Sequence, residues 1–192
     1  MPQNHFSIHG LWPGNATGEL LAYCDDSNSL IEVNITTDRM NTQKQEVYLT
    51  MDKYWTSYTD NNNKFWLHEY NKHGYCFTQH NNFPDFFSYF NFTLNFFIEN
   101  QFSEIFLNAF YQPSSRVLEI HKQELDMIIQ SLYPGAHYKF VCGTKGLRRY
   151  LLEIYFYYDM NFKFRNTPYP PDENCGGKDY YISIVFYPSN IE

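Results

Sequence analysis

The sequence predicts an α+β protein. Segments with a helical pattern fill the first two thirds of the chain, and segments rich in aromatic and β-branched residues fill the last third. The 192 residues are within the range of one domain and no repeat or linker divides them, so we expect a single domain over residues 1–192. Aromatic residues make up 20% of the chain, which excludes the composition of a disordered protein. No apolar stretch reaches the length of a transmembrane helix, and we expect no membrane partner.

Helices are expected where apolar side chains recur every three or four residues. A loop at residues 60–63 precedes the helix that carries the most informative motif, and Pro84 suits the first turn of the next helix. Pro134 and Gly135 end the last one. Besides the helix that carries this motif, helices are expected at residues 42–55, 84–100, 103–111 and 121–133. Strands are expected at residues 137–142, 150–158 and 180–187.

The motif at residues 65–76 reads FWLHEYNKHGYC and brings four ionisable side chains close together. On a helix with about 100° per residue, Lys72 lies about 40°, Glu69 about 100° and His73 about 140° from His68. One face of the helix would therefore present all four groups. Glu69 and His73 are four residues apart, which makes them neighbours on that face.

Two other interpretations of this motif remain open from its residues alone. A zinc protease motif, H-E-x-x-H, needs its second histidine four residues after the first, where this chain has Lys72. A protonated lysine is a poor neighbour for a divalent cation, so the spacing argues against zinc. The other interpretation is a solvated, charged helix face, which is the usual fate of a run of charges.

A second motif at residues 6–13 reads FSIHGLWP and adds His9, next to Trp12, whose ring could stack on a nucleobase. Three imidazoles, a carboxylate and an ammonium group suffice to cleave a phosphodiester without a metal or other cofactor. Attack of a ribose 2′-hydroxyl on its own 3′-phosphate needs a base and an acid, and histidine suits both because its ordinary pKa is about 6.5. A cation such as Lys72 would stabilise the charge of the phosphorane.

The two motifs and their order resemble the active-site blocks of the ribonuclease T2 family, F-x-I-H-G-L-W-P followed by F-W-x-H-E-x-x-K-H-G-T-C. The resemblance implies a central, mainly antiparallel sheet with several flanking helices. It also implies an endoribonuclease that cleaves single-stranded RNA to 2′,3′-cyclic phosphates and then to 3′-phosphates. The family has a central strand before the first motif, and residues 1–5 are too short to supply it, so we expect this chain to lack that strand.

The resemblance also assigns a role to each residue of the site. His73 would be the general base of the first step, His9 the general acid, and His68 a ligand of the phosphate. Glu69 and Lys72 would form an electrostatic pair. The residues expected to bind the first and the second base are Trp12 and Phe65.

Four cysteines without metal-like spacing allow three pairings. The resemblance selects Cys24–Cys76 and Cys142–Cys175, whereas four reduced thiols in a cytosolic protein are the alternative. Glycosylation sequons at Asn15, Asn34 and Asn91 favour an oxidising compartment. We therefore expect a glycoprotein of the extracellular space or of the lysosomal or vacuolar lumen, although no signal peptide is visible in the chain.

The net charge of −7 argues against a general nucleic-acid binder and is compatible with an enzyme that concentrates its cations in a cleft. We expect single-stranded RNA as the substrate, no obligate protein partner and a monomer. The rival interpretation is a catalytically inactive relative that binds or stores, or a truncated copy without function. The missing strand motivates this rival, and the intact His9 and His73 argue against it.

Overall fold

The computed structural model describes residues 6–15, 19–24, 35–59, 61–78, 83–110, 117–165, 175–176 and 180–185. The chain divides into two compact units, of which one comprises residues 5–104 and the other residues 1–4 and 105–192. Within the described part of the chain, no helix has the length and apolar character needed to cross a membrane.

The unit of residues 5–104 is helical. It contains α1 (Ile35–Asp38), α2 (Gln45–Tyr54), α3 (Asn62–Lys72), a short 3-10 helix (Gly74–Phe77) and α4 (Phe86–Glu99), and α5 (Phe102–Phe110) runs across its end. The Asn61 side chain accepts a hydrogen bond from the Asn63 amide and so caps α3. The helix therefore begins inside the segment predicted as a loop.

The prediction that Pro84 opens a helix is wrong by two residues. Asp85 is extended and caps α4: its side chain accepts from the Ser88 amide, and the Ser88 hydroxyl accepts from the Asp85 amide. This capping box satisfies two amides that the first turn would otherwise leave without partners. Proline thus lies just before the cap, where its missing N–H costs nothing.

Aromatic side chains form the core of this unit, which accounts for many of the chain's tyrosines and phenylalanines. Trp55 and Phe90 pack with their ring centroids 4.6 Å apart. Tyr70 of α3 lies 5.8 Å from Tyr89 of α4. The N–H of the buried Trp66 donates to the Trp55 carbonyl over 2.7 Å, so this indole is buried with its polar atom satisfied.

The other unit contains α6 (Lys122–Leu132) and the strands β1 (Val117–His121), β2 (Tyr138–Lys145), β3 (Arg148–Phe156) and β4 (Tyr181–Val185). The strand order is β1-β4-β3-β2. The outer pairs are antiparallel, and the central pair, β3 with β4, is parallel. The predicted helix and three predicted strands are confirmed with shifted ends, and residues 186–187 of the last strand lie outside the described residues.

The strand β1 was not predicted from the sequence. Its five residues directly precede α6 in the sequence. A segment this short next to a helical pattern shows too few alternating residues to be recognised as a strand. In the structure β1 pairs with β4 from Val117↔Val185 to His121↔Tyr181. The described strands of the sheet all come after residue 116, and the fold is α+β as predicted.

Candidate functional site

The first motif, FSIHGLWP, is held in place by the end of α2. The Ile8 amide donates to the Tyr54 carbonyl over 2.7 Å. The indole N–H of Trp55 donates to the His9 carbonyl over 2.8 Å. Trp55 is fully buried, so its hydrogen bond fixes the backbone that carries His9. Sequence reasoning assigned no role to the Tyr54–Trp55 pair.

A second anchor comes from α4. The Tyr89 hydroxyl donates to the Leu11 carbonyl over 2.8 Å and accepts from the Leu11 amide over 3.2 Å. Tyr89 is fully buried, and this burial raises the pKa of its hydroxyl far above the ordinary value. The hydroxyl therefore stays protonated and holds both polar groups of one backbone residue, a role that no sequence signal indicated.

Glu69 is the centre of the site. Its side chain is only 3% exposed, and its Oε1 lies 3.6 Å from Nε2 of His9, whose side chain is 44% exposed. The indole N–H of Trp12 donates to Oε2 of Glu69 over 2.7 Å. A buried carboxylate needs such partners, since burial without them is costly. The carboxylate can thus pair with a protonated His9.

Gly10 makes this approach possible. A Cβ at this position would overlap both the Trp12 indole nitrogen and the Glu69 Oε2. The glycine of the motif is therefore required because two side chains meet directly over its backbone.

His73 follows the last residue of α3, with φ −124° and ψ −47°, and is 3% exposed. Its Nδ1 lies 3.0 Å from the Leu21 carbonyl. A carbonyl can only accept, so Nδ1 carries the proton in this hydrogen bond. The lone pair of Nε2 can then accept a proton from a substrate. Sequence reasoning did not find this role of Leu21, because a backbone carbonyl leaves no signal in the side-chain pattern.

Burial lowers the pKa of His73 below its ordinary value. The hydrogen bond to Leu21 and the charge of Glu69 act in the opposite direction, and the charges of Lys72 and His68 add to the lowering. The neutral form of His73, which a base requires, is therefore favoured to a lower pH than in an ordinary histidine.

The segment that carries Leu21 is tied down at both ends. The Leu21 amide donates to the Pro13 carbonyl over 2.8 Å, and the Tyr23 amide donates to the Lys72 carbonyl over 2.8 Å. Cys24 forms a disulfide with Cys76. The expected pairing is thus found here and also in the other unit, where Cys142 bonds Cys175.

The indole of Trp12 is close to the rings of both His9 and His73. Its centroid is 4.9 Å from the His9 ring in an edge-to-face arrangement and 4.9 Å from the His73 ring at an interplanar angle of 32°. The Phe65 ring lies 5.7 Å from that of His9. The structure therefore brings Glu69, both histidines and both predicted base-binding residues into one cluster.

His68 and Lys72 occupy the outside of this cluster. His68 is exposed and Lys72 half-buried, and both affect His73 through their charges. The expectation that one helix face presents all four ionisable groups is therefore only partly met, since Glu69 is turned inward and His68 outward. Among the described residues, no group of three or more His, Cys, Asp or Glu is arranged to hold a metal ion.

The glycosylation candidates differ in their surroundings. The Asn15 side chain donates to the Glu19 carboxylate over 2.8 Å. Asn91 is half-buried within α4, and Thr93 of its sequon is buried with its hydroxyl bonded to the Tyr89 carbonyl. Asn34 lies outside the described residues. Modification of all three stays a prediction.

Two histidines, an indole and a buried carboxylate thus meet in one cluster within the unit of residues 5–104. Residues 1–175 match the sequence model of the ribonuclease T2 family. The chain belongs to the ribonuclease T2 family.

Individual relatives agree with this assignment. Ribonuclease T2-like 1-A of Candida albicans is 24% identical over 97% of this chain and 48% of that protein. Ribonuclease M of Aspergillus phoenicis is 42% identical over 39% of this chain and 32% of that protein. The matched regions thus span about a third to a half of the length of these relatives.

A solved structure shows the same fold. The crystal structure of Japanese pear S3-RNase superposes with a TM-score of 0.66 at 20% identity, over 95% of this chain and 88% of that one. The ribonuclease T2-type fold expected from the two motifs is confirmed.

Proposed function

We propose that this protein is an endoribonuclease that cleaves single-stranded RNA by acid–base catalysis, without a metal or other cofactor. The observation that carries the proposal is the pairing of His9 with the buried carboxylate of Glu69 while His73 is held, buried, by a backbone carbonyl. The two histidines are therefore in different environments. One is placed to be charged and the other to be neutral, which is what an acid and a base require.

In the first step His73 takes the proton of the ribose 2′-hydroxyl at Nε2. The hydroxyl oxygen then attacks the adjacent phosphorus, and protonated His9 gives its proton to the departing 5′-oxygen. The products are a 2′,3′-cyclic phosphate and a new 5′-hydroxyl end. Lys72 stabilises the charge of the phosphorane, and His68, exposed beside it, binds the phosphate.

In the second step water opens the cyclic phosphate to a 3′-phosphate and the proton roles reverse. His9 is now neutral and accepts a proton from water, and His73, charged after the first step, returns its proton to the 2′-oxygen. Glu69 stabilises the charged form of whichever histidine holds the proton, since it lies beside His9 and its charge raises the pKa of His73.

Trp12 and Phe65 are the proposed binding sites for the first and second base. The Trp12 indole lies 4.9 Å from the ring of each proposed catalytic histidine, so a base bound to it would place its ribose phosphate near both. Phe65 lies near His9, the proposed acid, so the base of the departing nucleotide would contact its ring. The two disulfides favour an oxidising compartment, and we place the protein in the extracellular space or the lysosomal or vacuolar lumen, as a monomer without an obligate protein partner.

The test is RNA cleavage at about pH 5 in the presence of EDTA, a pH at which one histidine can be neutral and another charged. We expect the chain to shorten single-stranded RNA at the same rate with and without the chelator. The control is a variant with both His9→Ala and His73→Ala, purified in the same way, which removes the activity if it belongs to this protein. Full inhibition by EDTA would exclude the metal-free mechanism, and equal rates for protein and double variant would favour an inactive binding or storage protein.

A further inference from the structure

The four-stranded sheet has one covered and one open face. Side chains that alternate along the strands point to opposite faces, and paired residues share a face. The covered face holds the buried Ile120, Ile182 and Ile184, together with Phe140, which lies beneath the Lys122 ammonium group of α6. The opposite, open face holds exposed side chains around Ser183, which lies between Glu119 and Tyr150 and is itself only 4% exposed.

The open face carries rings and cations. Tyr150 of β3 pairs with Ser183 of β4, and Tyr181, two residues earlier on β4, is 57% exposed. Lys145 of β2 pairs with Arg148 of β3, and both are exposed. Because Tyr150 is two residues after Arg148, it projects on the same side of the sheet.

Neighbouring side chains extend this surface. Leu152 is 63% exposed and lies against Gly143, where a Cβ would be 3.1 Å from it. The Tyr181 ring lies 3.8 Å from the His121 ring. Glu119 lies 3.9 Å from Arg148, both largely exposed, a pair that water screens strongly. The surface thus combines aromatic and aliphatic side chains with the paired cations Lys145 and Arg148 at one end, and it also carries the carboxylates of Glu119 and Glu153.

The charge distribution of the chain supports a polyanionic ligand. Residues 138–165, which form β2, β3 and the segment after them, contain six of the 14 Lys and Arg but only two of the 21 Asp and Glu. The rest of the chain is strongly acidic. A polyanion would therefore be attracted to this segment and repelled elsewhere.

We propose that the open sheet face, defined by Lys145, Arg148, Tyr150, Leu152 and Tyr181, binds single-stranded RNA as a second site, formed by other residues than the histidine cluster. The choice of RNA as the polyanion rests on the proposed function. Unpaired bases stack on exposed aromatic rings while phosphates contact cations, and an open sheet with this combination is a common platform for single strands. A lipid surface or an acidic protein could contact the same cations and rings, and the experiment below separates these ligands from RNA.

The experiment measures binding of a fluorescent single-stranded oligodeoxyribonucleotide of about 20 nucleotides, which lacks the 2′-hydroxyl and cannot be cleaved. The variant Lys145→Gln/Arg148→Gln should bind more weakly. The slope of log K against log [salt] should be shallower by about 1.4, because each phosphate of a single strand that a cation neutralises contributes about 0.7 to that slope. Tyr181→Thr should raise the Kd by about fivefold or more with an unchanged salt dependence, because it removes one stacking surface.

The matched control is Gln43→Glu/Lys53→Gln, which lowers the net charge by the same amount at exposed positions of the other unit. It should change the Kd less than twofold. If the sheet variants bind the oligonucleotide like the unchanged protein, the proposal is wrong. It is also wrong if they lose binding only to vesicles of anionic phospholipid, since the face would then recognise a membrane.

Cleavage of a dinucleoside phosphate separates this proposal from the proposed function. Such a substrate is too short to need a second site, so the sheet variants should cleave it at the unchanged rate, which also shows that they are folded. Absence of cleavage by the unchanged protein would refute the proposed function and leave the oligonucleotide measurement valid. Normal cleavage with unaltered oligonucleotide binding in the sheet variants would refute only the second site.

Discussion

His73→Ala should lower the rate of RNA cleavage by about 10²- to 10⁴-fold, and a substrate with an activated leaving group should not restore it. His73 is the group that takes the proton of the 2′-hydroxyl, and a better leaving group leaves that requirement unchanged. His9→Ala should lose a similar factor on RNA but recover much of its rate on the activated substrate, which departs without a proton. The measurement is kcat/KM of both variants on the two substrates.

The control for this comparison is His68→Ala. His68 is exposed and is proposed to bind the phosphate, so its loss should raise KM more than it lowers kcat on either substrate. If the activated leaving group rescues His73→Ala and not His9→Ala, the acid and the base are reversed. If it rescues both equally, neither histidine acts as the proposal requires.

Glu69→Gln should lower kcat/KM roughly ten- to hundredfold and also move the acid limb of its pH profile to lower pH. Glutamine can still accept the Trp12 indole N–H, but it has no charge to pair with protonated His9. A hydrogen bond to a charged group is worth about 1.5–3 kcal/mol, which gives this range. The charge of Glu69 raises the pKa of His73, so without it that pKa falls further and the base stays neutral to lower pH.

Lys72→Gln is the opposing control. The Lys72 charge lowers the pKa of His73, so its removal should move the acid limb to higher pH, whatever happens to the maximal rate. Opposite shifts in the two variants would show that the titrating group responds to the charges of both Glu69 and Lys72, as His73 does. An acid limb that stays in place in both variants would show that His73 is not the base.

Much of the site could be predicted because it depends on local spacing. His68 to Lys72 lie within a single helix, so helical geometry relates their positions before the fold is known. The disulfides followed from the resemblance, and the aromatic content indicated a large core. The inward direction of Glu69 was not predicted, because it depends on Trp12 and Gly10, which come from another part of the chain.

The contacts that hold the site in place could not be predicted for the same reason. Trp55 and Tyr89 act through hydrogen bonds to backbone atoms of the first motif. These contacts join residues far apart in the chain, so they leave no periodic pattern in the sequence. The Leu21 carbonyl that orients His73 could belong to any residue type. The strand β1 was missed because its stability comes from pairing with β4, near the far end of the chain.

The most direct measurement of the central claim is the time course of products from a dinucleoside phosphate in EDTA, followed by phosphorus NMR. The account predicts that a 2′,3′-cyclic phosphate accumulates first and is then converted to a 3′-phosphate, because the two steps use the same pair of histidines in reversed roles. Direct appearance of a 5′-phosphate, or of a 3′-phosphate with no cyclic species before it in an assay able to detect one, would contradict cleavage by the 2′-hydroxyl.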